Sequence, residues 1–307
     1  MRHSIVAKFV GILPPWVVLD PWLKQWLAED IGRGDRSTQS LFAQTAVPTG
    51  KATWFAKQSG VIAGLPLVER LFFLLDPKTQ VQFLVDEGSW CESGTAIAQV
   101  QGNVDTLLTG ERVALNTTMY LSGIATETRK YVDAIQDFST HLVDTRKTTP
   151  GLRIFDKYAT QVGGARNHRM GLDDAVMVKD NHITAAGSIS EAIARLRATI
   201  PYPLTIEVET ENISQVQEAI QHHADIIMLD NMSIADMKQA IAIIRQTQPT
   251  ANEVKARPIK IEASGNITLD NIRDVAATGV DYISTSALVT KASWLDLSMA
   301  IGEGQRI

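Results

Sequence analysis

The amino-acid sequence predicts two units, a βα barrel in its carboxyl half and a small sandwich in its amino half. Two observations carry the barrel and one carries the sandwich. Six short apolar, β-branched runs end in polar or charged residues: HLVDTR (141–146), AVMVKDN (175–181), LTIEVET (204–210), DIIMLDN (225–231), IKIEASGN (259–266) and DYISTSA (281–287). Between them SISEAIARLRATI, ISQVQEAIQHH, SIADMKQAIAIIRQ and LDNIRDVAATG repeat apolar residues at three- and four-residue spacing, the mark of helical crossovers between parallel strands. In the amino half, KATWFAKQSGVIAG and VQFLVDEGSWCESGTAIAQVQGNV are strand-like runs broken by glycine turns.

Along the chain, helical signals come first, near residues 20–30, followed by the glycine-punctuated strands. The stretch 105–137, with GERVALNTTMYLSGIATET inside it, lacks strand alternation and reads as a helix linking the two units. The expected division is 1–125, a sandwich domain with linking helices; 126–290, the barrel; and 291–307, a closing segment packing back on the amino-terminal domain.

With 307 residues, 45% of them hydrophobic and 21% charged, the chain has material for one large core and a second, smaller unit. A net charge of -5 argues against a nucleic-acid surface, so any anionic ligand must meet a local basic cluster. The single cysteine, Cys91, leaves no intramolecular disulfide and no cysteine cluster for zinc, and the chain reads as cytoplasmic. MRHSIVAKFVGIL is interrupted by Lys8 and followed by Pro14, Pro15 and Trp16 without a small-residue cleavage site, unlike a signal peptide. No apolar run approaches the roughly 18 residues of a membrane span.

Residues at the carboxyl ends of barrel strands face the substrate, and here those ends are charged. Asp144, Arg146 and Lys147 close the first run, Lys179 and Asp180 the second, Glu207 and Glu209 the third, Asp230 the fourth, and Glu262 and Ser264 the fifth. An internal salt-bridge network would account for any one of them. As a set, Arg146, Lys147, His168, Arg169 and Lys179 make a basic lobe for phosphates or carboxylates, and Glu209 and Asp230 an acidic one suited to magnesium bridging a pyrophosphate. SGNIT (264–268) lies between a strand and a helix, where backbone N–H groups and a helix dipole favour phosphate. Glu111 and Arg112 open a helical run, and a surface ion pair is the simplest account of them.

Longer strings are more specific. DTRKTTPGLR (144–153), GGARNHRMGLDDAVMVKDNHI (163–183), IEVE (206–209), IMLDN (227–231), EASGNI (262–267) and GVDYIS (279–284) resemble, in order, the motifs of the quinolinate phosphoribosyltransferases, the carboxylating nicotinate-nucleotide pyrophosphorylases. EDIGRGDRST, GERVALN and LSGIAT match the family's amino-terminal motifs, and the resemblance covers Glu29 to Met299. It implies an α/β + α+β protein, an open-sided α/β barrel of seven strands with an amino-terminal α/β sandwich domain. It also implies a pentosyltransferase that makes nicotinate mononucleotide, pyrophosphate and carbon dioxide from quinolinate and phosphoribosyl pyrophosphate in NAD biosynthesis. That enzyme would use Mg2+ with phosphoribosyl pyrophosphate and no tightly bound organic cofactor, and would work as a homodimer or higher homo-oligomer.

By the same resemblance, Arg146, Arg169 and Lys179 bind the quinolinate carboxylates, with Thr145 and His168 beside them and Arg112 reaching in from a partner subunit. Lys147, Ser264, Gly265, Asn266, Thr285, Ser286 and Ala287 hold the phosphoribosyl group, and Glu209 and Asp230 lie by the ribose and the magnesium pyrophosphate. Lys147, Lys179, Glu209 and Asp230 form the catalytic set. Two departures stand out: Ala165 replaces a glycine common in the family, and SALVTKAS (286–293) lacks a histidine that some members carry, leaving Thr290 and Lys291 there.

Three other readings compete. Lys179 at a strand end would suit a Schiff-base aldolase, although its basic neighbours suit anion binding equally. VDEGSWCESGTAIAQVQG has the glycine rhythm of a carrier hairpin, but no lysine lies between Thr79 and Arg129 to be acylated. The molybdenum-transport-associated branch of the same family is the alternative on substrate, and the complete NHR and TRKTTPGLR motifs favour quinolinate.

Overall fold

A computed structural model of the chain describes residues 11–247 and 258–302. The first ten residues, which hold most of the stretch compared above with a signal peptide, and the last five of the closing segment lie outside the described residues. In chain order the elements are α1 (Trp16–Ile31), α2 (Arg36–Leu41), β1 (Thr49–Ala56), β2 (Gly60–Val61), α3 (Leu65–Leu75), β3 (Gln80–Phe83), β4 (Trp90–Cys91), β5 (Ala96–Asn103) and α4 (Val104–Ala134). There follow β6 (His141–Val143), α5 (Arg153–Gly163), β7 (Val176–Val178), α6 (Asp180–Ala186), α7 (Ile189–Thr199), β8 (Ile206–Thr210), α8 (Ile213–Gln221), β9 (Ile226–Asp230) and α9 (Ile234–Gln246). The chain ends with β10 (Lys260–Ser264), α10 (Ile272–Ala276), β11 (Tyr282–Ser284), α11 (Ala287–Thr290) and β12 (Leu297–Ile301).

Two compact units result. The first takes the described residues up to Arg129, Ile154–Gly164 and those from Ala292; the second takes Lys130–Arg153 and Ala165–Lys291.

In the first unit, β12, β1, β5 and β3 form an antiparallel sheet in that order, and β2 pairs separately with β4. Ala52, Trp54 and Ala56 alternate along β1 and are fully buried, so one face of the sheet supplies a core. Leu19 and Leu23 of α1 and Leu67, Leu71 and Phe72 of α3 are buried as well. Helix α3 starts at Gly64, which has no capping side chain. Glu87 does the capping instead: its carboxylate accepts the N–H of Gly64 at 2.6 Å and of Leu65 at 3.0 Å, and the Tyr158 hydroxyl at 2.6 Å. Tyr158 belongs to α5, whose Phe155, Tyr158, Ala159 and Val162 are all buried at helical spacing, which is why 154–164 clusters with this unit.

In the second unit six parallel strands follow the order β6-β11-β10-β9-β8-β7. Beyond β6, Arg166 adds a seventh strand position as a parallel bridge to Val143, its N–H donating to the Leu142 carbonyl at 2.9 Å. Among the described residues that edge does not pair with β7, so the barrel is open-sided. The crossover helices α7, α8 and α9 are each fixed at their start by a side-chain cap, Ser188, Asn212 and Ser233. The runs read from the sequence outlast several elements: β6 stops at Val143, β7 at Val178 because Lys179 turns to begin α6, β11 at Ser284, and α10 keeps only Ile272–Ala276.

The two-residue period of the strands sorts the side chains. Val176 and Val178, Ile206 and Val208, Ile227 and Leu229, Ile261 and Ala263, and Ile283 join one apolar cluster with the helices. Residues of the other parity, Met177 and Lys179, Glu207 and Glu209, Met228 and Asp230, Glu262 and Ser264, therefore lie on the opposite, inner side. At the amino ends of the strands one device occurs twice. Asp225, before β9, accepts the N–H of Ile206 at 2.7 Å and the Arg197 guanidinium at 2.6 Å. Asp281, before β11, does the same for Ile261 at 2.8 Å and Arg245 at 3.0 Å. Each carboxylate thus ties a neighbouring strand and a helix to the start of its own strand.

Replacing Asp225 or Asp281 by alanine strands a strand N–H and a guanidinium together, at an expected cost of about 1–3 kcal/mol each. Urea unfolding monitored by circular dichroism checks this, and turnover at 25 °C should stay near that of the parent because both residues are at the far end of the strands from the cavity described next. Stability equal to the parent's would remove these carboxylates from the list of supports.

Candidate active site

A cavity of about 640 Å³ opens at the carboxyl ends of the barrel strands. Fourteen of the fifteen residues picked from the sequence line it: Thr145, Arg146 and Lys147 after β6; His168 and Arg169 after the Arg166 bridge; Lys179; Glu209; Asp230; Ser264, Gly265 and Asn266; and Thr285, Ser286 and Ala287. Arg112 is exposed on α4 in the other unit. Lys291 also lines the cavity, with Thr290. Sequence reading missed Asn231, Thr268 and Ser284 as lining residues, and had Glu262 only as a charged strand end.

The basic wall is built by loops tied to one another. Buried Asp144, just past β6, accepts the Asn167 amide at 2.6 Å and the His168 N–H at 2.8 Å. Arg153 donates to the Thr148 hydroxyl at 3.1 Å and the Met170 carbonyl at 3.2 Å, joining the TTPGLR turn to the same loop. Arg169 is aimed by its own bond to the Ala175 carbonyl at 2.8 Å. Burial and the nearby Arg146 both disfavour its charge and push its pKa down, so two guanidiniums are held where an anion would relieve them. Lys179, across the cavity, pairs its ammonium with Glu209. That ion pair occupies the amine a Schiff base would have to use.

Beneath the wall sits a buried trio. His168 Nδ1 accepts the N–H of Arg169 at 2.8 Å, which leaves the ring proton on Nε2, 3.1 Å from Glu207 and 3.6 Å from Glu262. Both carboxylates are 3% exposed, and the Oε1 atom of each has no hydrogen-bond partner. Burial, then repulsion from Glu207, pushes the Glu262 pKa up to about 8, against the pull of His168 and the Ser284 hydroxyl. The trio could hold a metal by ligand type, but a proton retained on Glu262 already removes the repulsion within it. Glu209 and Asp230, the pair expected to serve magnesium, lie outside this cluster and face the cavity.

The opposite side is a backbone cradle. Asn231, Gly265 and Asn266 all have positive φ, at 52°, 93° and 51°. A Cβ on Gly265 would meet Asn231 Oδ1 at 2.2 Å and its backbone nitrogen at 2.9 Å, so only glycine fits. The helix dipole expected behind SGNIT is not there: α10 begins at Ile272 and is five residues long. Anion affinity in this loop must come from its N–H groups and side chains.

Comparison with known proteins agrees with the motifs. Residues 35–122 match the N-terminal domain and 124–300 the C-terminal domain of the quinolinate phosphoribosyl transferase family. A Synechocystis protein named as a probable carboxylating nicotinate-nucleotide pyrophosphorylase is 59% identical over 94% of this chain and 94% of its own length. A Bacillus subtilis protein of the same name is 41% identical, over 91% and 92%. The crystal structure of NadC from Streptococcus pyogenes superposes with a TM-score of 0.87 at 41% identity, covering 95% of this chain and 99% of that one.

The retained proton has a measurable consequence. A carboxyl group whose pKa is raised on folding binds more protons folded than unfolded, so its contribution to stability falls as pH rises from its ordinary range toward about 8. Glu262→Gln keeps the shape of the neutral form and should flatten the decline in melting temperature between pH 5 and pH 8. Parallel declines for parent and variant would mean that Glu262 is ionised throughout.

Proposed function

The chain belongs to the quinolinate phosphoribosyltransferase family, and we propose how its cavity carries out that family's reaction. The enzyme transfers the phosphoribosyl group of phosphoribosyl pyrophosphate to quinolinate with decarboxylation, giving nicotinate mononucleotide, pyrophosphate and carbon dioxide. The observation that carries the reading is one cavity that brings Arg146, Lys147, Arg169, Lys179 and Lys291 together with the carboxylates of Glu209 and Asp230, above the buried Glu262. A dianionic pyridine and a polyphosphate sugar need the first set; a sugar carbon that becomes cationic needs the second.

Arg146 and Arg169 hold the two ring carboxylates, with Lys179, Thr145 and His168 beside them, and so point the pyridine nitrogen at the sugar carbon. As the bond to pyrophosphate breaks, its electron pair leaves with the pyrophosphate, and Glu209 and Asp230 face the positive charge left on the ribose. The nitrogen lone pair forms the new bond. The carboxylate next to the nitrogen then departs as carbon dioxide, leaving its electron pair on a carbon stabilised by the adjacent cationic nitrogen, and that carbon takes up a proton. Lys147, with Ser264, Gly265, Asn266, Thr285, Ser286 and Ala287, holds the phosphoribosyl group. Glu209 and Asp230 fit magnesium by their chemistry, since that ion is commonly held by one or two carboxylates together with substrate phosphates. When bound it would neutralise the pyrophosphate charge.

Motif resemblance through GERVALN supports a homodimer in which Arg112 completes the quinolinate site of the neighbouring subunit. The single, buried cysteine supports a cytoplasmic location, and no helix among the described residues is long and apolar enough to cross a membrane.

Quinolinate and phosphoribosyl pyrophosphate with Mg2+ should yield nicotinate mononucleotide and carbon dioxide in equal amounts; no product would refute the reaction. By titration calorimetry Lys147→Ala should weaken phosphoribosyl pyrophosphate more than quinolinate, and Arg169→Ala the reverse, by about tenfold or more for the affected ligand. Equal losses would defeat that division of labour. Mixing inactive Arg112→Ala with inactive Lys179→Ala subunits should restore activity after exchange, because one site of each heterodimer is then intact. Heterodimers visible by mass spectrometry yet inactive would place Arg112 outside its neighbour's site.

A further inference from the structure

Asn231 sits between two parts of the cavity that the reaction must use together. Its side chain has one donor group and one acceptor, and both are engaged. Nδ2 donates to Asp230 Oδ2 at 2.8 Å, and Oδ1 accepts from Asn266 Nδ2 at 3.0 Å. The chemistry fixes that orientation, because a carboxylate can only accept and so the amide nitrogen must face Asp230. The backbone N–H of Asn231 donates to the Ser264 carbonyl at 2.9 Å, carrying the β9–β10 pairing, in which Ser264 stands opposite Asp230, one residue past the strand end. Gly265 lies so close that no side chain fits between the loops.

Asparagine is among the few side chains that tolerate the left-handed backbone found here. Asp230 without this bond would keep a free rotor at a half-exposed strand end, and Asn266 would lose its link across the loop.

We propose that Asn231 is a positioning residue that locks Asp230 and the Ser264–Asn266 loop into one rigid unit, so that the ribose and a phosphate of the same phosphoribosyl pyrophosphate molecule are recognised in fixed register. The inference rests on the reading of the cavity given under the proposed function. It assigns to Asn231 an effect on the phosphoribosyl substrate alone, because neither of its partners belongs to the wall that faces quinolinate.

Two variants separate the side chain from the backbone. Asn231→Gly keeps a residue at ease with positive φ and removes both bonds. Asn231→Asp keeps the acceptor for Asn266 but sets a carboxylate against Asp230. Both should weaken phosphoribosyl pyrophosphate, measured with Mg2+ by titration calorimetry, by about ten- to a hundredfold, the worth of hydrogen bonds to a charged group. Quinolinate affinity should stay within about twofold, and the loss in kcat/KM should track the phosphoribosyl substrate. Adding Asn231→Gly to Asp230→Ala should cost clearly less than Asn231→Gly costs in the parent, since the part of its effect that runs through Asp230 is already gone and only the link to Asn266 remains to be lost. Equal weakening of both ligands, or a full further loss in the double variant, would overturn the proposal and assign Asn231 a general structural role. If the parent itself bound neither ligand, the reading of the cavity would fail instead, so the two failures are distinguishable.

Discussion

Two carboxyl groups, Glu207 and Glu262, occupy the same small volume inside the barrel and cannot both ionise there at modest cost. Their strands place them there: the parity that sends Ile206, Val208, Ile261 and Ala263 into the apolar cluster leaves Glu207 and Glu262 on the inner side. The conflict is settled locally by a proton that burial and repulsion retain on Glu262 and by the Nε2–H of His168 directed at Glu207. His168 is thereby fixed through both ring nitrogens. Since Nδ1 takes the N–H of Arg169, the position of the arginine backbone, and with it one side of the basic wall, depends on this buried trio.

The two ends of the strands carry different work, and the same residue type serves both. Asp225 and Asp281 spend their lone pairs on strand amides and on arginines of the preceding helices, which knits the barrel. Asp230, at the other end of β9, accepts the Asn231 amide and keeps accepting capacity facing the cavity. Carboxylates with saturated partners support the fold; carboxylates with spare lone pairs are available to a ligand.

The barrel was readable because its signal is repeated. Six β-branched runs with charged ends, spaced by amphipathic stretches, reproduce the six paired strands, and the seventh strand position, a single bridge at Arg166, has no run of its own to see. The long helix α4 was visible from the missing alternation over 105–137. Helix α5 has the apolar spacing of Phe155, Tyr158, Ala159 and Val162, but nothing in the sequence shows that its polar Asp156, Lys157 and Thr160 are buried too. Charge at the strand ends marked Arg146, Lys147, Lys179, Glu209, Asp230 and Glu262 of the cavity lining, whereas the uncharged Thr145, Thr285, Ser286 and Ala287 were legible only through motif resemblance. Asn231 escaped because an uncharged residue after a strand looks like ordinary turn chemistry; only its positive φ and its two bonds reveal its place. The expected helix dipole behind SGNIT failed for a related reason, since periodicity in LDNIRDVAATG could not show how few residues would wind.

Charge placement decides how an acidic chain can hold anions. With a net charge of -5, its long-range field does not draw in polyanions, so binding must be won inside the cavity, where desolvation strengthens each contact. Burial and the nearby Arg146 push the Arg169 pKa down, so a carboxylate between the two guanidiniums relieves an unfavourable charge placement. Lys179 is different, because Glu209 already satisfies it. Under the proposed reaction, an anion bound at that ammonium would compete with Glu209 and leave the glutamate to face the positive charge developing on the ribose. Binding of the acidic substrate and freeing of the carboxylate would then be two sides of one exchange, a physical reason for a lysine and a glutamate at the ends of adjacent strands β7 and β8.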